Sequence, residues 1–389
     1  MTSLLIGHFV APEGLNYSSN CFDWYAEMRD QAPISYDKRR RCWDIFRYKD
    51  AQKVLIDHSS FSSNRSKDKV DSIISMDPPE HMRFRSLATK EFSHRYVQRM
   101  SSLITEITEQ RLKHIEKLTE IDFMQEIASP VPIFMLMRLM GIHERHYEDI
   151  KKWTRLTVSR SMSTGKPLKI ALKNFKHSID ELNRFFEELM SEKQKNPQDD
   201  LVSDILNENK KNIELPKLRD FFRAILSAGS ETTVNLLGNA MYLFLKNPQV
   251  LETLQANPLL IPNAIEEVLR FHSSVQCINR IAIDDITIGN HTIRSGQEVV
   301  IWLGSCNRDE SIFKQANQFK IDRSPNPHLS FGQGIHYCMG SSLARLEAKI
   351  VLTKMLERFP KLSLSPSNSP VPNSNFVFRG YDHLNIRLV

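Results

Sequence analysis

Apolar positions along this chain recur mainly every three or four residues, the spacing that places them on one face of an α-helix. The segments with this pattern are residues 80–91, 97–117, 129–141, 145–160, 170–195, 216–246, 262–271 and 341–358. Strand-like patterns are much rarer. We therefore expect a mostly α protein with a small β-rich region.

Short apolar runs bounded by turn residues, which are typical of β-strands, occur in three places. They lie at roughly residues 34–47, 281–303 and 376–389, and Gly289 and Gly296 mark turns in the second place. The third follows a loop rich in Ser, Pro and Asn, and residues 376–378 are expected to resume an apolar strand. No repeat or interdomain linker is visible, so we expect a single domain that spans residues 1–389.

Composition and charge do not indicate a function, but they argue against several classes of protein. The 389 residues are 41% apolar and 25% charged with a formal net charge of +6, as in an ordinary globular protein. No basic stripe with interleaved aromatic residues supports nucleic-acid binding. The N-terminus lacks the pattern of a signal peptide, and the most apolar stretch, residues 131–140, is too short to span a bilayer. We expect a cytoplasmic, monomeric protein without a membrane anchor.

One of the five cysteines lies in a context that predicts chemistry. No two cysteines form a C-x-x-C pair, which argues against zinc ribbons and redox dithiols. Cys338, however, lies in a glycine-rich stretch, FGQGIHYCMG at residues 331–340, and a helical pattern begins directly after this stretch. Glycines let the backbone approach a flat group closely, and a helix start favours a thiolate, which is a good soft ligand for iron.

This stretch resembles the cysteine-ligand loop of the cytochrome P-450 superfamily, and the likeness continues into Leu343-Ala344-Arg345. The resemblance implies the triangular-prism fold of that family, with haem b between a long oxygen-binding helix and the helix after the cysteine loop. It also implies that Cys338 is the axial ligand of the haem iron, and that Phe331, His336 and Gly340 bind the cofactor.

The second chemical motif lies inside the predicted helix 216–246. Gly and paired Thr are poor interior helix residues, and the Thr232 hydroxyl can bond back to the carbonyl of Ala228. Glu231 and Thr232 form an acid–alcohol pair of the kind that relays protons. The segment from Ala228 and Gly229 to Thr232 resembles the oxygen-binding motif of the family, which implies catalytic roles for Glu231 and Thr232.

Cationic side chains that would suit the two haem propionates come from three segments. Asp77 and Glu80 predict a capped helix start, after which His81 and Arg85 share one helix face. The family uses this H-x-x-x-R pair for propionate contact, and Arg280 and His336 stand at its other propionate positions. Four donors for two carboxylates would form a charge-assisted clamp.

Glu267 and Arg270 lie three apart on the predicted helix 262–271. An exposed pair at this spacing would contribute only about 0.2–0.5 kcal/mol. The family resemblance instead implies a buried triad of Glu267, Arg270 and Arg323 that positions the cysteine loop. Removal of one member would then be severe, because it strands a buried charge.

The resemblance implies a monooxygenase that inserts oxygen from O2 into a hydrophobic small molecule of fatty acid, terpenoid or steroid type. Electrons would come from an external ferredoxin or flavodoxin with an NAD(P)H reductase, and the expected docking cations are Lys90, Arg95, Arg99, Lys113, Arg345 and Lys349. The expected substrate pocket comprises Val70, Ile73, Ile74, Ala224, Ser227, Val275, Gln276, Phe376 and Val377. Two alternatives stay open: a hydrogen-peroxide-driven peroxygenase or decarboxylase, and a non-catalytic haem sensor.

Overall fold

The computed structural model describes residues 10–15, 21–65, 72–158, 166–208, 213–373 and 375–388. Its helices are α1 (Cys21–Gln31), α2 (Tyr48–Ile56), α3 (Glu80–Ala88), α4 (His94–Arg99), α5 (Ser101–Ile115), α6 (Pro130–Leu139), α7 (Tyr147–Val158), α8 (Lys166–Lys195), α9 (Leu201–Asn207), α10 (Leu215–Lys246), α11 (Pro248–Ala256), α12 (Ile261–Phe271), α13 (Leu303–Cys306) and α14 (Ser341–Arg358). The strands are β1 (Ile34–Asp37), β2 (Cys42–Ile45), β3 (Phe61–Ser62), β4 (Glu120–Asp122), β5 (Ile278–Ala282), β6 (Ile286–Ile288), β7 (His291–Ile293), β8 (Glu298–Ile301), β9 (Ser363–Leu364), β10 (Val371–Pro372), β11 (Tyr381–His383) and β12 (Asn385–Arg387).

The mostly α architecture is confirmed, and each segment with helical periodicity contains a helix. The predicted helix 97–117 is divided into α4 and α5 at Met100. Helices α1, α2, α9, α11 and α13 were not predicted. Proline stands in the first turn of α6, α10, α11 and α12, where its missing N–H group costs no helical hydrogen bond.

The largest sheet has the strand order β1-β2-β8-β5-β3. Its pairs are antiparallel except for β2 and β8, which run parallel and align Cys42 with Glu298. The short strand β3 pairs with β5, so that Ser62 lies opposite Ile281. The strand predicted at residues 376–378 is wrong: these residues form only a single bridge, between Phe378 and Val275, and the next strand begins at Tyr381.

The predicted helix cap at Asp77 is also wrong. Helix α3 begins at Glu80, and the preceding residue, Pro79, makes no side-chain cap. The Asp77 carboxylate instead accepts hydrogen bonds from the Ser62 hydroxyl and from the backbone N–H of Ser63 at 2.8 Å. Glu80 accepts a hydrogen bond from Lys217 at 2.7 Å, which ties α3 to the start of α10.

Helix α10 lies at the centre of the helical part. It packs against α6, α7, α8, α12 and α14, and most of its length is buried. Gly229 allows a close approach to α6, because a Cβ atom there would meet Leu136 at 3.0 Å. Among the helices of the described ranges, none combines the length and the apolar character that a membrane crossing would require.

Candidate active site

The loop that carries Cys338 is held by its own backbone and by its contact with α2. The N–H of Cys338 donates to the carbonyl of Phe331 at 2.9 Å. Gly332 and Gly334 have φ values of 68° and 74°, in the left-handed region that favours glycine. A Cβ atom on Gly334 would lie 2.6 Å from the carbonyl oxygen of Leu55. The loop therefore reaches its position because glycine permits both the backbone angle and the close approach.

Cys338 faces a cavity between α10, α14 and the cysteine loop. It is half-buried, whereas the other four cysteines, all in the described ranges, are buried and do not line this cavity. Burial raises the pKa of the Cys338 thiol, while the N–H of Gly340 and the charges of Arg85 and Arg345 act in the opposite direction. The protein therefore places groups that favour a thiolate next to Cys338, and a bond to a cation would compensate for the effect of burial.

Most of the residues proposed from the sequence as site residues come together on the wall of this cavity. Those that line it are Ile73, Ile74, His81, Arg85, Ala224, Ala228, Gly229, Thr232, Val275, Arg280, Phe331, His336, Cys338 and Gly340. The set joins α3, α10, β5 and the cysteine loop. Long-range packing has therefore assembled segments that are more than 250 residues apart.

Five of the expected residues do not line the cavity, and Val70 lies outside the described residues. Ser227 and Glu231 share a face of α10 that is turned away from it. The buried Gln276 bonds to the Tyr25 hydroxyl at 3.0 Å and to the carbonyl of Ser273 at 2.6 Å. Phe376 and Val377 pack into a separate apolar cluster with Trp302. Assignment of Ser227, Gln276, Phe376 and Val377 to the cavity wall is accordingly corrected.

The cavity holds a cluster of basic side chains in which several buried nitrogen atoms lack hydrogen-bond partners. The rings of His81 and His336 lie 4.1 Å apart, and His81 Nδ1 and His336 Nε2 are buried without a hydrogen bond. Burial, together with the nearby charge of Arg280, lowers the pKa of His336 to about 3. Burial, and then the charge of Arg65, lowers the pKa of Arg280 to about 9. The cluster repels itself and is suited to an anionic group.

The threonine groove on α10 has the local geometry that the sequence predicts. The Thr232 hydroxyl donates to the carbonyl of Ala228 at 2.7 Å, and the Ser230 hydroxyl makes the same bond to Leu226. The helix continues through this patch without a break. Thr232 therefore presents a hydroxyl to the cavity whose present partner is a backbone carbonyl in the preceding turn.

Glu231 faces an ion pair instead of the cavity. Arg155 on α7 and Asp382 on β11 form this pair, with a separation of 2.9 Å. Burial raises the pKa of Glu231 to about 7, Arg155 lowers it, and Asp382 raises it. A carboxyl group with this pKa can hold or release a proton at neutral pH.

Glu267, Arg270 and Arg323 lie together, and the first two are completely buried. The Glu267 carboxylate accepts from Arg270 at 2.7 Å and from Arg323 at 3.0 Å. Arg270 also donates to the carbonyl of Asn307 at 2.9 Å, and the Asn307 side chain accepts from the N–H of Leu329 at 2.7 Å. The triad is thus connected through Asn307 to the chain just before the cysteine loop.

Comparisons with known proteins agree with this geometry. A sequence model of the family described as Cytochrome P450 matches residues 4–380. The chain belongs to the cytochrome P450 family. Cytochrome P450 109 of Bacillus spizizenii is 34% identical, over 94% of this chain and 91% of that protein. The crystal structure of CYP109E1 from Bacillus megaterium with testosterone has a TM-score of 0.92 at 34% identity, over 95% of this chain and 98% of the other. That of P450BioI with an acyl carrier protein ligated to hexadec-9Z-enoic acid has a TM-score of 0.91 at 30% identity, over 96% and 99% of the two chains.

Cytochromes P450 bind haem b through a cysteine thiolate, and the residues of this P450 fit that group. Haem brings two carboxylates, which would satisfy the unpaired atoms of the basic cluster and reduce its self-repulsion. The same wall contains the half-buried Cys338 thiol, a soft ligand for iron.

Arg65 and Asn307 are the candidate functional residues that sequence reasoning missed. Arg65 lines the cavity, and its Nε atom is buried without a partner. No local motif surrounds it, and only the pairing of β3 with β5 brings it towards Arg280. The bond of Asn307 to the segment before the cysteine loop depends on the folded chain.

Proposed function

We propose that this cytochrome P450 monooxygenase hydroxylates an apolar small molecule of the steroid or fatty acid class, with Cys338 as the axial haem ligand. The observation that carries the proposal is the cavity itself, in which the Cys338 thiol and the Thr232 hydroxyl share a wall with apolar side chains. The relatives support this substrate class, since CYP109E1 was crystallised with testosterone and P450BioI with a fatty acyl group.

Each group in the cavity would have a distinct task. Haem, when bound, supplies the redox-active iron at which dioxygen is reduced. The Cys338 sulfur would bind the iron. The propionates would be held by a clamp of basic side chains, namely His81, Arg85, Arg280 and His336 with the addition of Arg65. Ile73, Ile74, Ala224 and Val275 present apolar surface to the substrate and exclude water from it.

Proton delivery is assigned to Glu231 and Thr232. Glu231, with a pKa of about 7, exchanges protons on the side of α10 that faces Arg155. Thr232 lies next to it in the chain and faces the cavity, so its hydroxyl can accept a proton from one side and donate one to the other. The bond from Thr232 to the Ala228 carbonyl must be given up for this donation.

The substitution Thr232→Ala tests the proton relay. We expect the product formed per NADH consumed to fall about tenfold or more, since a positioned proton donor contributes about 10²–10⁴-fold. Thr253→Ala is a matched control, because Thr253 makes the same 2.7 Å bond to a preceding carbonyl on α11, away from the cavity. Fully coupled turnover in the Thr232 variant would contradict the relay, and turnover that hydrogen peroxide alone sustains at the same rate would favour the peroxygenase alternative.

The axial ligand and the substrate class have direct spectral tests. Carbon monoxide bound to the reduced protein should give the strongly red-shifted Soret band of thiolate ligation, and Cys338→His should abolish it. Titration with steroids and fatty acids should convert the iron from low to high spin for at least one of the two classes. A shift with neither class would contradict the proposed substrate.

We also infer that electrons arrive from an acidic ferredoxin or a flavodoxin served by an NAD(P)H reductase. Lys90, Arg95, Arg99, Lys113 and Lys349 are exposed and remain in the proposed docking set. Arg345 is removed from it, because Glu266 neutralises its charge through bonds of 2.7 and 2.8 Å. Neutralisation of the five cations should slow reduction by the ferredoxin and flatten its salt dependence. Neutralisation of Lys38 and Lys361, which are exposed elsewhere, should do neither.

A further inference from the structure

Arg345 lies beside the cysteine loop and has no task in the proposed function. Its guanidinium group stands 4.4 Å from the centre of the Phe331 ring, in a cation–π contact. One of its nitrogen atoms also donates to the Tyr337 hydroxyl at 3.4 Å. Arg345 therefore contacts two residues that adjoin Cys338, since Phe331 accepts the backbone hydrogen bond of Cys338 and Tyr337 directly precedes it.

The charge of Arg345 reaches the Cys338 sulfur. Burial raises the pKa of the Cys338 thiol, whereas the bond from Gly340 and the charges of Arg85 and Arg345 lower it. Among the described residues that influence this pKa, none is acidic. The two arginines differ in their partners, because Arg85 donates to the carbonyl of Tyr337 at 2.8 Å and Arg345 is paired with a carboxylate.

Glu266 on α12 is the carboxylate partner of Arg345. Its two oxygen atoms accept from Arg345 Nε at 2.7 Å and from Arg345 Nη2 at 2.8 Å, a bidentate pairing that fixes the position of both groups. Glu266 Oε2 also lies 3.1 Å from His328 Nε2. Burial raises the pKa of Glu266, but the bonds from Arg345 and His328 outweigh it and lower this pKa to about 2. Glu266 is therefore ionised at neutral pH.

Glu266 has two opposing effects on the cysteine loop. It holds Arg345 over Phe331, and it also cancels most of the electric field of Arg345, because two opposite charges in contact act at a distance as a nearly neutral pair. Stability alone does not explain this arrangement. The two side chains are 31% and 35% exposed, so their ion pair contributes little, and α12 and α14 already pack directly against each other.

We propose that Glu266 is a positioning residue that sets the reduction potential of the haem iron by fixing how much of the Arg345 charge acts on the Cys338 sulfur. This inference rests on the proposed ligation of haem by Cys338. Reduction by the ferredoxin or flavodoxin adds one electron, and with it one negative charge, to the iron and its sulfur ligand. A positive charge nearby favours the reduced form. Glu266 therefore keeps the potential lower than an unpaired Arg345 would.

The midpoint potentials of haem-loaded variants test this role, measured with small mediator dyes so that docking of the redox partner does not contribute. Glu266→Gln removes the negative charge and keeps an acceptor for Arg345, so we expect the potential to rise. The equilibrium constant for reduction should change about tenfold, the order expected of one partly buried charge, which corresponds to about 59 mV. Arg345→Gln removes the positive charge, so its potential should fall. Glu357→Gln removes another paired carboxylate of α14, roughly 18 Å further along the helix, and should leave the potential unchanged.

The double variant Glu266→Gln/Arg345→Gln separates this role from a structural one. If Glu266 acts through Arg345, the potential of the double variant should lie between those of the single variants and close to that of wild type. If one single variant does not fold, the sign of the shift in the other decides.

Three outcomes would overturn the proposal. They are an unchanged potential in a folded single variant, a rise in Glu266→Gln that persists in full in the double variant, and loss of the thiolate-type carbon monoxide band from both single variants, which would make the pair structural. Failure of the proposed function would appear in wild type as absence of that band, whereas failure of this inference appears only between wild type and the variants.

Discussion

Glu231 on α10 and Glu347, a buried residue of α14 that lines the cavity, have raised pKa values for the same physical reason but in different surroundings. Glu347 has no charged neighbour that affects it, whereas Glu231 is influenced by the ion pair of Arg155 and Asp382. Burial sets the direction of both shifts, because it disfavours the ionised carboxylate. The ion pair near Glu231 can shift its pKa further in either direction, whereas no such pair affects the pKa of Glu347.

Replacement of Asp382 should change the pH dependence of turnover. Asp382→Asn removes the negative charge that raises the pKa of Glu231 and leaves Arg155, which lowers it. Glu231 will then lose its proton at a lower pH, so we expect the alkaline limb of the coupling profile to move to lower pH. Asp284→Asn, at an exposed position in the turn before β6, serves as the control. A profile that stays in place would exclude Glu231 as the titrating group.

Replacement of Arg65 should not destabilise the haem-free protein but should weaken the binding of haem. In the haem-free protein its charge lowers the pKa of Arg280 and His336, so Arg65→Gln relieves repulsion and should not lower the melting temperature. With haem bound, loss of a charge-assisted hydrogen bond of about 1.5–3 kcal/mol should weaken binding by one to two orders of magnitude. Transfer of haem to an apoglobin measures that loss. An unchanged rate of haem transfer would show that Arg65 does not bind the propionates.

At the scale of secondary structure, local sequence patterns predict the individual helices better than they predict how the segments pack together. Helix α10 was predicted to within a residue or two from its periodicity and from Pro216, because both act within one helix. The predicted cap at Asp77 is wrong because its carboxylate bonds instead to Ser62 of β3 and to Ser63, a contact between segments that local spacing cannot show. The prediction that Ser227 and Gln276 line the cavity is wrong for the same reason. Both residues are close in sequence to residues that line it, but packing directs their side chains elsewhere.

The contact between the cysteine loop and α2 makes a sharp prediction for Gly334. Gly334→Ala adds a Cβ atom 2.6 Å from the carbonyl of Leu55, at a residue with φ of 74°. Gly296→Ala is the matched control, since its φ is 80° and nothing lies within 4 Å of the added atom. The control should lose about 1–2 kcal/mol of stability from the backbone angle alone. We expect Gly334→Ala to lose clearly more and to weaken the thiolate-type carbon monoxide band, and equal losses in the two variants would contradict a tight contact.

At the scale of the whole molecule, buried polar contacts connect the β-rich part, α12 and the cysteine loop. Asn307, at the end of α13, donates to the hydroxyls of Ser273 and Ser330 at 2.8 Å. Its side-chain oxygen accepts from Leu329, and its backbone carbonyl accepts from Arg270. Asn307 thus joins two other segments, residues 270–273 and residues 329–330, to its own, and such networks are sensitive to the loss of a single member.

Asn307→Ala should therefore loosen the haem site before the protein as a whole unfolds. The variant leaves the buried Leu329 N–H without a partner, which costs about 1–3 kcal/mol, while the hydroxyls of Ser273 and Ser330 keep their bonds to the carbonyl of Leu269. Because Leu329 and Ser330 lead directly into the cysteine loop, we expect the thiolate-type carbon monoxide band to decay at a lower temperature than the helical circular dichroism signal. Asn317→Ala removes an exposed amide with only weak contacts and should leave the two transitions together. If the Asn307 variant also loses band and helix in a single transition, the network stabilises the fold uniformly and does not specifically support the ligand loop.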